Sequence, residues 1–170
     1  MSRMSLRLLC IAFVAGFFAV IVLHQPMLSL LHALGLTPAH AYVMRPTPPV
    51  GVPQVISSAF WGGIWGTIFV LSGARPGRGL RLYATSVLFG AIVLTSVAWF
   101  IVAPLKGQPV AAGGVPARMV IGPLVNGAWG FGLALLLDLL DRLSPGRAGH
   151  GSAAGTRSDS GHFWKRLTAG

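Results

Sequence analysis

The chain has 170 residues, 54% of them hydrophobic and only 9% charged, with a formal net charge of +10. A soluble domain carries about a quarter charged residues, so this composition excludes an ordinary water-soluble fold and points to a bilayer. Nucleic acid is excluded as the meaning of the charge, because most of the cations flank apolar runs and do not form a soluble basic face.

A helix needs about 20 apolar residues to cross the hydrocarbon core. Four segments qualify, at about 6–25, 53–71, 82–103 and 119–140. The first follows Arg3 and Arg7, an arrangement shared with signal peptides, but the small-x-small run Ala39-His40-Ala41 lies too far beyond the apolar stretch to be its cleavage site. The run continues past Pro26 to Leu34, as a helix extension or a surface segment with a kink at the proline. At about 100° per residue, His24, Gln25, Ser29 and His32 share one arc, the side expected to face the bundle. Cys10, the only cysteine, is expected as a small core residue, and its solitude excludes an intrachain disulfide or a cysteine metal cluster.

Orientation follows from Lys and Arg. Arg3, Arg7, Arg75, Arg78, Arg81, Arg142, Arg147, Arg157, Lys165 and Arg166 fall on one side of the four spans, and only Arg45, Lys106 and Arg118 on the other. Both termini are therefore expected in the cytoplasm, with proline-rich loops 35–51 and 106–116 facing outward. The preference for Arg, Ala and Gly suggests a bacterial gene, and hence the inner membrane. From Ser144 the composition turns to Gly, Ser, Ala and Arg, so residues 1–143 are expected as a four-helix transmembrane domain and 144–170 as a disordered cytoplasmic tail.

The four spans form two similar pairs. Gly51-Val52-Pro53 leads to Gly63-Ile64-Trp65-Gly66, and Gly114-Val115-Pro116 leads to Gly127-Ala128-Trp129-Gly130. The first helices align with Phe18 opposite Phe89 and His24-Gln25 opposite Thr95-Ser96. Repeats of two spans insert in the same orientation. The expected fold class is an all-α integral membrane protein with four transmembrane helices arranged as two parallel helical-hairpin repeats.

Two sets of residues stand out. Ser58, Gly62 and Gly66 in the second span and Gly122, Asn126 and Gly130 in the fourth recur every four residues, the spacing that lets helices approach closely in lipid. That packing joins helices within one chain or builds a homodimer. His24, Gln25, Thr95, Ser96 and Asn126 form the candidate polar site, all in the outward half of the spans, where each needs a partner or a wet cavity. They are read either as an interhelical hydrogen-bond cluster or as an outward-open pocket. No metal site and no cofactor are expected, since only the first span supplies histidine, at His24 and His32, while His40 lies in a loop. Asp138 with Arg142, and Asp141 with the Arg75 to Arg81 loop, suit structural ion pairs.

Catalytic motifs are missing: the sequence has no phosphate loop, nucleophile elbow or carboxylate pair beside a histidine. Glutamate is absent, and no aspartate lies mid-span. The stretch MRPTPPVGVPQVISSAFWGGIWG from Met44 to Gly66, with PLKGQPV at Pro104 to Val110 and NGAWG at Asn126 to Gly130, resembles a group of short four-span bacterial membrane proteins with FWGGxWG and NGAWG helices. That group has no assigned activity, so the resemblance implies fold and location alone. The functional expectation is a small, non-enzymatic integral membrane protein that packs as a homo-oligomer or with a membrane partner in the lipid bilayer. The alternative is a small transporter or channel using the outward polar site.

Overall fold

In an apolar solvent every backbone N–H and C=O must be satisfied within its own segment, and long apolar stretches therefore become helices. The computed structural model, which describes residues 6–73, 77 and 79–143, has four such helices: α1 Leu6–Ala33, α2 Gln54–Leu71, α3 Leu80–Leu105 and α4 Pro116–Arg142. Each is long and apolar enough to cross a membrane. Residues up to Leu140 form one compact unit, and the expected tail from Ser144 lies outside the described residues.

Small residues decide how the helices meet. Ala12, Ala15, Gly16 and Ala19 are the buried positions of the first fourteen residues of α1. A side chain on Gly16 would strike the carbonyl of Gly62, and one on Gly66 would strike that of Ala12. The numbers rise on one helix as they fall on the other, so α1 and α2 pack antiparallel with their backbones nearly touching. The same device recurs between α3 and α4, where Gly90 backs onto the Asn126 carbonyl and Gly130 onto that of Ser86.

Aromatic residues fill what the small residues leave. Trp129 of α4 is fully buried and donates its indole N–H to the Gly16 carbonyl at 3.0 Å. Gly132 of α4 rests against Ala19 and Leu23 of α1, and Leu133 reaches Gly66 of α2. On the other side, Trp65 and Phe69 of α2 pack against Phe89 of α3, with ring centroids at 6.2 and 5.2 Å.

Two helices depart from regular α geometry. Residues Val20–His24 of α1, and Phe89–Leu94 and Ala98–Val102 of α3, are π-helical. Such segments are rare and change the phase of everything beyond them. In the α segment that follows the first of these, Gln25 is buried, whereas Ser29, expected on the same arc, is exposed. Cys10 is exposed too, not a core residue.

The loop between α1 and α2 is ordered by hydrogen bonds to both helices. Helix α2 starts at Gln54, after Pro53, without a side-chain cap, and its first free N–H groups, on Gln54 and Val55, donate to the carbonyls of Arg45 and Val43 at 3.0 and 3.1 Å. Strands β1 Pro46–Thr47 and β2 Val52–Pro53 pair antiparallel, and the Thr47 hydroxyl donates to the Val52 carbonyl at 2.6 Å. Between α3 and α4 the chain turns through Ala111, Ala112, Gly113 and Gly114, all with positive φ. This left-handed turn is costly at the two alanines and free at the two glycines.

Candidate functional site

The polar residues of the spans fall into separate groups. In the first, Thr95 of α3 is buried and accepts a hydrogen bond from Asn126 Nδ2 of α4 at 3.0 Å. Gly122, one turn before Asn126, provides the room: a side chain there would lie 2.9 Å from Thr95 Cγ2 and 3.2 Å from Trp99 Nε1. The glycine admits a β-branched threonine between two helices, and the amide fixes its hydroxyl. Ser96, the next residue, is exposed.

In the second group, Gln25 of α1 is buried and its Oε1 accepts the backbone N–H of Tyr42 at 2.8 Å. Tyr42 itself donates its hydroxyl to the Ile21 carbonyl at 2.8 Å. The reason lies in the π segment. Gln25 N–H bonds to the Val20 carbonyl, five residues back. In that register the Ile21 carbonyl awaits the N–H of residue 26, which is a proline and has none. The Tyr42 phenol replaces the missing donor. Tyr42 adopts a left-handed conformation, φ 52°, which a tyrosine tolerates only when surrounding bonds hold it there. The tyrosine is therefore a clasp holding the loop to α1, and nothing in its sequence spacing announces this.

Two polar atoms are buried without a hydrogen-bond partner among the described residues, His24 Nδ1 and Ser86 Oγ. Ser86 is fully buried where α3 meets Gly130, a position that sequence reasoning missed. The packing residues Gly62, Gly66 and Gly130 are buried at helix contacts, while Ser58 and Gly122 are half-buried.

A third polar group lies at the end of α1. His32 Nδ1 is 3.0 Å from the Thr37 carbonyl, and the ring of His40 sits 4.1 Å from that of His32, centroid to centroid, at 51°. Sequence reasoning set His40 aside as a loop residue; the turn through Gly35, φ 71°, folds it back onto the helix. No cluster of three or more His, Cys, Asp or Glu side chains suited to a metal occurs among the described residues.

The fold and these groups define a mostly helical chain with four potential membrane spans, with polar contacts between α3 and α4 and between α1 and the loop that follows it. No family model, curated protein or solved structure matches the chain.

Proposed function

We propose that this chain is a four-span protein of a bacterial inner membrane, with both termini in the cytoplasm, built from two parallel hairpin repeats and acting without catalysis as a packed component that associates with itself or with another membrane protein. The repeat reading is supported by matching contacts: Gly16 with Gly62 and Ala12 with Gly66 in one pair, Gly90 with Asn126 and Ser86 with Gly130 in the other. These contacts equate Gly16 with Gly90, a register three residues on from the one that sets Phe18 opposite Phe89. Three residues is nearly one helical turn, so both registers keep the same face inward. The likeness to four-span proteins with FWGGxWG and NGAWG helices remains part of this proposal.

The observation that carries the non-enzymatic reading is how the interior is filled. Trp129 occupies the space between α1 and α4 and bonds to Gly16, Asn126 is paired with Thr95, and Gln25 with Tyr42. Polar groups that satisfy one another do not line a path for a substrate. Because the glycine stripes are used inside the chain, a partner would meet apolar side chains instead, and Ile56, Phe60 and Ile68 on α2, which recur at four- and eight-residue spacing and are exposed, form one such face. Photocrosslinking residues at Ile56 and Phe60, activated in intact membranes, test this. Adducts with a second copy or with one defined protein are expected, and adducts with lipid alone would refute it.

A second reading, a small transporter or channel with its site in the outward half of the bundle, is favoured by the unpartnered buried atoms His24 Nδ1 and Ser86 Oγ, which water could satisfy. Under this reading His24→Gln changes transport while leaving assembly intact.

A further inference from the structure

The sequence separates His32 from His40 by a loop, but the fold sets their rings against each other at the end of α1. A carbonyl oxygen only accepts, so the 3.0 Å contact between His32 Nδ1 and the Thr37 carbonyl requires the proton to be on Nδ1. In the neutral ring, the lone pair then resides on Nε2. An imidazole whose Nδ1–H is held by a backbone carbonyl is the arrangement that orients a metal-binding histidine and raises its basicity. His40 supplies the second imidazole from an exposed position, free to turn about its side-chain bonds.

We propose that His32 and His40 together bind a divalent transition-metal ion of the Cu2+, Ni2+ or Zn2+ class at the end of α1. Imidazole nitrogen suits these ions, and carboxylate-loving Mg2+ or Ca2+ would find no oxygen cage here. Metal–nitrogen bonds of about 2.0–2.1 Å place two ligand nitrogens about 3.0–3.4 Å apart. The rings already lie 4.1 Å apart, centroid to centroid, and binding requires His40, which is exposed, to turn so that its nitrogen meets this spacing. Since no third His, Cys, Asp or Glu joins them among the described residues, solvent completes the coordination sphere. The site is thus open and exchangeable, and it stands apart from both functional readings above: a packed component and a transporter alike would carry it at the loop.

The test uses the full-length chain in detergent, purified without a histidine tag, in a His150→Gln, His162→Gln background that removes the two remaining histidines of the C-terminal segment. Cu2+ is titrated by calorimetry, and the bound ion is examined by electron paramagnetic resonance. The expected result is one Cu2+ per chain at micromolar concentration, with splitting from two imidazole nitrogens. His40→Gln lowers affinity at least about tenfold and leaves one nitrogen; because His40 is exposed, folding is not at stake. His24→Gln changes nothing. Binding that survives both His32→Gln and His40→Gln, or the absence of saturable binding up to millimolar Cu2+, overturns the proposal.

Discussion

Gly130 and Gly127 lie on the same helix, three residues apart, yet alanine at the two positions has different consequences. A Cβ on Gly130 would overlap the Ser86 carbonyl oxygen and lie 2.7 Å from its carbon and 3.0 Å from Val87 Cα. All of these are backbone atoms, which no rotamer change can move. Helices α3 and α4 must separate, and overpacking of this kind costs about 1–3 kcal/mol. The separation also strains the Asn126–Thr95 bond one turn away, adding about 0.6 kcal/mol, the average for such bonds in lipid. A Cβ on Gly127 meets only side chains, Ala91 Cβ at 3.6 Å and Val87 Cγ1 at 3.8 Å, which is ordinary contact. Helix propensity favours alanine by about 1 kcal/mol in water, but less in a membrane, where the unfolded state stays helical. Gly127→Ala is therefore expected to lie within about 0.5 kcal/mol of wild type, on the stabilising side. Unfolding of the detergent-solubilised protein by added SDS, followed by tryptophan fluorescence, measures both variants. A gap of about 2 kcal/mol, or roughly thirtyfold in the folding equilibrium, is expected between them. Equal losses at the two positions would refute the reasoning.

Tyr42→Phe removes the donor to the Ile21 carbonyl and costs about 1 kcal/mol. Amides of the 35–51 loop should then exchange with deuterium about fivefold faster while those of α4 stay unchanged; unchanged loop exchange would mean the clasp does not hold. A double-mutant cycle on Asn126→Leu and Thr95→Val should return a coupling energy of about 0.6–1.7 kcal/mol, the range for interhelical hydrogen bonds in a membrane. A coupling of zero would show that the 3.0 Å bond contributes nothing.

Helix number and position were legible because twenty-residue apolar runs have one structural solution in lipid. The ends were less so: α1 continues through Pro26 to Ala33, since the π segment ahead of it and the Tyr42 hydroxyl accommodate the proline. Facing was harder still. Lipid and protein interior are equally apolar, so nothing distinguished the exposed Cys10 from the buried Ala12, two residues on. The helical wheel placed Ser29 on the arc of Gln25, but it could not show that the loop at Tyr42 covers Gln25 and leaves Ser29 exposed. Asn126 and Thr95 were each visible as polar residues in apolar helices, but that they meet depends on the space left by Gly122. His40 and Tyr42 were illegible as partners of α1, because loop geometry, not spacing, brings them there.

The most direct measurement for a packed bundle is thiol accessibility. Single cysteines at His24, Thr95 and Asn126, in a Cys10→Ser background, are challenged in intact cells with a membrane-impermeant thiol reagent, with the same chains labelled after denaturation as the reference. The expected result for the buried, paired Thr95 and its partner Asn126 is no labelling before denaturation. Labelling at all three positions would reveal a wet vestibule, contradict the packed-component reading and make the transporter the leading reading.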